Sequence, residues 1–311
     1  MEPSNQIKNK FLKLISIKLE NYFMHFKKKI FKNFFEEHQG KVSIKWELYL
    51  NEYERILFPL KKKSINVLEV GILNGGSLEI LGQYFSQANL IIGCDINNAC
   101  ENLNFSDKKI KIIIGDVLQD ITYSNITELT HQFDLIIDDG SHRSGDVICT
   151  FTKYFPLLSE GGVYVVEDLH ASYWSDYDGG LFDPLSTVAF IKKLIDVTQF
   201  QSWGNELSVD NFMADFDSFF QVPVDWEFLL TIHSIEIINS MCVIKKSPKE
   251  LNQLGKLRLA GQEENVICVS ANQIMNKTLQ PVNQSNNILS SVNLKDFSIT
   301  HAIAISQDLK K

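Results

Sequence analysis

Four carboxylates and a histidine stand where two hydrophobic runs of this chain give out. Phe133–Ile137 is followed by Asp138 and Asp139, and Val163–Val166 by Glu167 and Asp168. Between the runs lies a helix-length segment, Ser144–Leu158, closed by Gly161 and Gly162. A strand, a crossover helix and a second strand make the two strands parallel neighbours. All four acids then reach the carboxyl edge of one sheet, where open α/β sheets bind their ligands. Like charges held that close repel, and a divalent cation is the simplest compensation. Hard oxygen donors suit magnesium or manganese. His142 follows Asp139 by three residues on the same loop, the place of a general base. A turn histidine is the plain alternative, and His170 is a second candidate with less around it.

The elements that must position these residues begin with an apolar strand, Ile65–Gly71, running into Glu69-x-Gly71-x-x-x-Gly75-Gly76 and a helix from Ser77 to Phe85. Glycines let a backbone turn tightly and approach a ligand closely, and the helix start offers free N–H groups. A dinucleotide fingerprint would read GxGxxG. Leu73 stands where that motif wants its second glycine, which disfavours a pyrophosphate cradle. The loop looks instead like that of S-adenosylmethionine (SAM) enzymes of the doubly wound class. The next strand, Leu90–Asp95, ends in an acid 24 positions after Gly71. An acid so placed accepts hydrogen bonds from ribose hydroxyls. Ile110–Ile114 is a third strand, ending at Gly115-Asp116, a corner that borders the adenine in SAM enzymes; Asp also suits any turn. Ile232–Ile238 and Met241–Lys246 flank Asn239-Ser240 and read as a hairpin.

Composition sets outer bounds. The 311 residues allow one large α/β domain with extensions. A hydrophobic share of 44% with 22% charged residues supplies a packed core and excludes wholesale disorder. A net charge of −8 argues against general nucleic-acid affinity. The five cysteines are scattered with no CxxC pair, which fits a reducing compartment and neither a zinc site nor a disulfide framework. No apolar run approaches the roughly 20 residues that span a bilayer. The N-terminus lacks the pattern of a secretory signal, so the expected setting is cytoplasmic.

Three regions follow: a basic N-terminal extension over 1–40, a central domain over 41–248 and a polar C-terminal extension over 249–311. In the first, Phe11, Leu14, Ile15, Leu19 and Phe23 recur at helical spacing with lysines between. Such a helix either packs on its own domain or lies on an anionic membrane surface or partner. Residues 44–58 read as another helix, on which Tyr49 and Tyr53 share a face and either cover a cleft or fill the core. Pro59 and Lys61–Lys63 mark a boundary after it. The loop over 171–184 is aromatic and acidic, and Tyr173 and Trp174 are candidates for stacking on a sugar. Leu185–Val197 reads as a helix; Val209–Phe220 is either a helix or a lid loop. The tail is rich in Asn and Gln, with only 265–272 and 299–305 showing apolar runs.

Taken together, VLEVGILNGGSL, IIGCDI, FDLIIDDGSHRSGDV, GGVYVVEDLHASYW and IHSIEIINSMCVIKK resemble the metal-dependent sugar O-methyltransferases of the macrolide type, within the cephalosporin hydroxylase-like group. The resemblance covers Trp46 to Lys246 and implies a seven-stranded Rossmann-like sheet of the class I methyltransferases, doubly wound, with N-terminal helices. It makes Asp139, Glu167 and Asp168 the metal ligands and His142 the catalytic base. It places Glu69, Gly71, Ser77 and Asp95 on SAM, with Asn74, Gly75, Asp116 and Asp138 completing the cofactor set. The implied cofactors are SAM and magnesium or another divalent ion. The implied acceptor is a hydroxyl of a sugar or glycoconjugate, and the family's habit implies a homo-oligomer. A bound ion would acidify the acceptor hydroxyl, and His142 would take its proton as methyl transfers. Three other readings stay open. One is a catechol-like phenol as acceptor. Another is a non-haem iron hydroxylase using His142, His170 and Asp139, since that chemistry wants two histidines and a carboxylate. The third is a scaffold built on a degenerate domain.

Overall fold

The structure is a computed structural model, and it describes residues 30–220, 225–261, 263, 277–287 and 290. The amphipathic segment expected before residue 30 and the tail runs at 265–272 and 299–305 lie outside the described residues.

Seven strands form one sheet among the described residues: β1 (Asn66–Val70), β2 (Leu90–Asp95), β3 (Ile110–Ile114), β4 (Phe133–Asp138), β5 (Leu158–Val166), β6 (Ile232–Ile238) and β7 (Met241–Lys246). Their order is β3-β2-β1-β4-β5-β7-β6. The first five run parallel, and β7 is antiparallel to both β5 and β6. The helices are α1 (Phe31–Glu36), α2 (Glu47–Leu57), α3 (Gly76–Tyr84), α4 (Asp120–Leu129), α5 (Ser144–Tyr154), α6 (Thr187–Thr198) and α7 (Val209–Phe220). The chain winds outward from β1 to β3, then returns to place β4 on the other side of β1. That reversal puts the topological switch point, and hence the crevice of an open sheet, between the carboxyl ends of β1 and β4.

The central strands are apolar along their length because both faces of the sheet are covered. Leu68 and Val70 face a cluster with Phe151, Tyr164, Phe190 and Trp226, while Val67 faces one with Tyr49, Tyr53, Leu57 and Leu78. Side chains alternate along a strand, so Glu69 falls on the second face, under α2 and α3. Helix α2 supplies that face through Tyr49, Leu50, Tyr53, Ile56 and Leu57, a stripe at spacings of three and four. Helix α1 adds Phe31, whose ring lies 5.2 Å from that of Tyr53 and 5.4 Å from that of Tyr84. The 249–261 stretch carries one short turn, Lys249–Asn252, and an isolated bridge between Lys256 and Thr278.

Several boundaries differ from expectation. The helix expected over 44–58 starts at Glu47; Trp46 before it is extended, with φ −61 and ψ 145. The helix expected over 144–158 ends at Tyr154, because Pro156 cannot continue it and forms a tight turn, Phe155–Leu157, instead. Gly161 and Gly162 therefore lie within β5 rather than closing a helix. Val209–Phe220, open in the sequence, is the helix α7. The hairpin strands fall where expected. No helix of the described residues is long and apolar enough to cross a membrane.

Candidate active site

The crevice at the switch point is kept narrow by Gly71. Its φ is +82, and a Cβ there would come within 2.0 Å of the Asp139 carbonyl oxygen. Only glycine suits both the backbone conformation and the space. The amide of Asp139 donates to the Val70 carbonyl at 2.9 Å, so the strand ends of β1 and β4 stay in register to their last residues. From this point opens a cleft of about 530 Å³, lined among others by Gly71, Asp95, Asp116, Asp138, Asp139, His142 and Asp168. Ligand pockets commonly run from about 300 to 1,000 Å³, and this cleft lies within that range.

At one end of the cleft, Asp95 braces the glycine loop. Its Oδ2 accepts from the amides of Ile72 (2.9 Å) and Leu73 (3.1 Å), and its Oδ1 from that of Asn97 (2.8 Å). A carboxylate offers about four lone-pair sites, which leaves capacity for a hydroxyl from the cleft. Asp116 Oδ1 accepts from the Leu118 amide at 2.9 Å and borders the same space. Ile96, next after Asp95, is 71% exposed and lines the cleft, an apolar surface with no core to fill.

At the other end, Asp139, His142 and Asp168 come together, each offering one ligand atom, all within 4.8 Å of one another. His142 Nε2 is 3.9 Å from Asp139 Oδ1 and 3.7 Å from Asp168 Oδ2. Both His142 (φ 59) and Asp168 (φ 51) hold left-handed backbone conformations. Non-glycine residues adopt these at a cost of order 1 kcal/mol or more, and they cluster at functional sites. The two carboxylates are the hard oxygen donors that magnesium or manganese takes, so they fit the divalent ion the resemblance implies, with the imidazole beside them. The pair of histidines an iron oxygenase needs does not assemble here: His170 Nδ1 is bonded to Ser240 Oγ, with its ring between Trp46 and Trp174.

Glu167 has different company. Lys45 Nζ lies 2.6 Å from Glu167 Oε1 and 2.6 Å from Asp139 Oδ2, and the Tyr53 hydroxyl donates to the same Glu167 oxygen. Glu167 is 2% exposed and Lys45 7%. Burial pushes the Glu167 carboxyl above its ordinary value, against the pull of Lys45. Burial works against the charge on Lys45, but Glu167, Asp139 and Glu69 outweigh it and hold the ammonium well above the usual lysine range. Burial, then the negative charge of Glu167, raises the Tyr53 phenol too, so it stays a donor. Glu69 lies on the same buried face and takes a 2.8 Å hydrogen bond from Ser77 Oγ. Burial pushes its carboxyl up to about 8, with Lys45 opposing. Asp138 faces the other side of the sheet, where the Tyr164 hydroxyl donates at 3.3 Å; burial pushes it up to about 7.

Of the cofactor candidates, Gly71, Asp95, Asp116 and Asp138 line the cleft, whereas the buried Glu69 and the half-buried Ser77 do not. Asn74 is exposed and Gly75 caps α3 in a left-handed conformation, neither lining the cleft. Of the metal candidates, Asp139 and Asp168 join His142, while Glu167 stands behind them on Lys45.

Several residues carry the site without having been singled out. Lys45 is one; its partners lie 94 and 122 positions away, so no local pattern announces it. Tyr49 and Tyr53, singled out in the sequence, fill the core and do not line the cleft. They are buried, and their hydroxyls reach Asp168 (2.9 Å) and Glu167. The Trp46 indole N–H donates to Asp168 Oδ1 at 2.9 Å. Trp46, His170, Trp174 and Tyr177 form an aromatic wall beside His142, whose ring lies 6.5 Å from that of Tyr177. Arg143 ties this wall to the histidine loop, donating to Asp178 Oδ1 at 2.7 Å and to the Asp176 carbonyl at 3.1 Å.

Residues 45–168 match the family model described as FtsJ-like methyltransferase. Curated relatives include the 8-demethyl-8-alpha-L-rhamnosyl tetracenomycin-C 2'-O-methyltransferase of Streptomyces olivaceus, 32% identical over half of this chain and 42% of its own length. The demethylmacrocin O-methyltransferase of Streptomyces fradiae is 31% identical over 51% of this chain and 41% of its own. The mycinamicin VI 2''-O-methyltransferase of Micromonospora griseorubida is 31% identical over 48% and 39%. The chain thus spans less than half the length of these relatives. Among solved structures, the MycE methyltransferase in complex with Mg, SAH and mycinamycin VI superposes with a TM-score of 0.58 at 22% identity, over 72% of this chain and 55% of that one. The fold is that of the Rossmann-like methyltransferases, and the similarity to sugar O-methyltransferases seen in the motifs extends over about half of the chain.

Proposed function

We propose that residues 41–248 catalyse SAM-dependent, divalent-metal-dependent O-methylation of a hydroxyl on a sugar or a glycosylated small molecule. One observation carries the reading: the ribose-type acid Asp95 and the Asp139–His142–Asp168 group line a single continuous cleft. A nucleoside held at the first end would have its reactive group near an acceptor held at the second, and proximity is most of what a sulfonium donor needs. The curated relatives are named as O-methyltransferases acting on glycosylated natural products, and MycE was solved with Mg and SAH.

In this reading SAM supplies the methyl group, and a divalent ion held by Asp139 and Asp168 supplies the pull that acidifies the acceptor hydroxyl. Asp95 accepts from the ribose and keeps the 71–75 loop in place through its three backbone bonds. Ile96 offers an apolar face to the base, and Asp116 borders it. His142 takes the acceptor proton at Nε2, the nitrogen directed at the acids. The aromatic wall of Trp46, Trp174 and Tyr177 gives an acceptor ring a surface to stack on, with its polar edge toward the acids. The unbridged cysteines among the described residues fit a cytoplasmic setting.

Calorimetric titration of SAM into the protein tests the proposal, first with EDTA and then with magnesium and a panel of nucleotide sugars and glycosides. The expected result is SAM binding in both conditions and acceptor binding only with the ion. Absence of SAM binding in either condition would overturn it.

A further inference from the structure

We propose that Lys45 is a tethered cation that fills the Asp139–Glu167 pair until a divalent ion displaces it, so that ion binding frees the strap carrying Ile44 and Trp46. The inference rests on the metal reading above and extends it to residues in front of α2.

Lys45 sits between the buried Glu167 and the half-buried Asp139. Its ammonium is 2.6 Å from an oxygen of each, with only 7% of its side chain exposed. Without a cation there, the buried Glu167 would face Asp139 uncompensated, which is costly. The lysine therefore holds the acid group together before any ion arrives. Magnesium demands near-octahedral oxygen coordination at about 2.0–2.1 Å. Asp139 and Asp168 offer one carboxylate oxygen each, with His142 beside them. The next carboxylate within reach is Glu167, and the second oxygen of Asp139 is Oδ2; Lys45 holds both. An ion that gathers the full acid set must take these oxygens from the ammonium. Its double charge makes the same compensation that Lys45 makes with one.

What this exchange would move is set by the strap. At its near end, Lys41 is pinned: its amide donates to Glu79 Oε2 at 2.8 Å and its Nζ to Glu79 Oε1 at 2.6 Å. The Lys41 carbonyl also crowds Gly76 at the start of α3, where a Cβ would come within 2.2 Å. At the far end α2 is fixed by its buried stripe. Between these anchors, Val42, Ile44 and Trp46 are each more than half exposed, and Lys45 is the buried tie. Ile44 lines the cleft and Trp46 bonds Asp168. Release of Lys45 thus loosens a strap segment that lines the cleft and bonds Asp168.

Amine footprinting of the wild-type chain tests this. The protein is treated with N-hydroxysuccinimide acetate, with EDTA or with saturating magnesium, and acetylation of Lys45 is read by peptide mass spectrometry against the exposed Lys62. The expected result is protection of Lys45 in EDTA and at least tenfold faster labelling with magnesium, with Lys62 unchanged. In parallel, Lys45→Met binds manganese at least tenfold more tightly by electron paramagnetic titration, and Lys45→Arg stays within about twofold of wild type. If wild type binds manganese but Lys45 stays protected at saturation, the lysine is a fixed counter-charge and the inference is overturned alone. If wild type binds no manganese, the metal reading falls and takes the inference with it.

Discussion

At the scale of single residues, the functional burden falls on side chains that serve two partners at once. His142 faces two acids from a left-handed backbone position, and in the proposed reaction it is the group that would take the proton. General bases contribute about 10²–10⁴ in rate. His142→Ala should therefore keep SAM affinity and lose at least a hundredfold in turnover, and wild-type turnover would remove His142 from that role. Manganese affinity separates the two duties: an unchanged value marks a base alone, a weakened one a ligand as well. Tyr53→Phe keeps the buried ring and removes only the hydroxyl on Glu167. A hydrogen bond to a charged group is worth about 1.5–3 kcal/mol, so urea unfolding should show a loss of that order. The acids and His142 were legible in the chain because they end apolar runs, where nothing in a core would want them. Lys45 was not, because a lysine three residues after Val42 in a polar stretch looks solvated until the fold brings it to β4 and β5.

At the scale of elements, the carboxyl ends of β1 and β4 must touch for the site to exist. Gly71→Ala puts a methyl group into the Asp139 carbonyl and should abolish SAM binding together with several kcal/mol of stability. Gly161→Ala makes the matched control. Its φ is +76, but nothing lies within 4 Å of the added Cβ. It should cost only the left-handed penalty, about 1–2 kcal/mol, and leave SAM affinity intact. Thermal melts and calorimetry on the pair separate backbone strain from the close approach. The parallel strands and the closing hairpin could be read from apolar runs and turn residues, since period and punctuation are local. The true start of α2 could not, because the extended backbone of Trp46 is dictated by contacts Lys45 and Trp46 make with distant acids. Arg143 belongs to the same class: its ties to Asp176 and Asp178 join two loops that the sequence offers separately.

At the scale of the molecule, a chain of net charge −8 gathers three of its carboxyls, Glu69, Asp139 and Glu167, around one buried lysine. Anything that binds only the folded state stabilises it by mass action. Magnesium at a hundred times its Kd should add about 2.7 kcal/mol, and EDTA should remove that increment in a thermal scan; a melting temperature indifferent to both would count against the ion site. The overall architecture was legible from the glycine loop, the strand-end acids and the hairpin together, while the way the 38–46 strap lies over α3 and reaches the acids needed the fold itself. The indole of Trp46 donates to Asp168 from a position 59% exposed, whereas Trp226 is deep in the core. Its emission therefore senses one carboxylate of the ion group directly. A fluorescence titration of the unlabelled protein, with Trp46→Phe as the blank, would follow occupancy of the site in real time, so the protein carries its own optical gauge of when the site is filled.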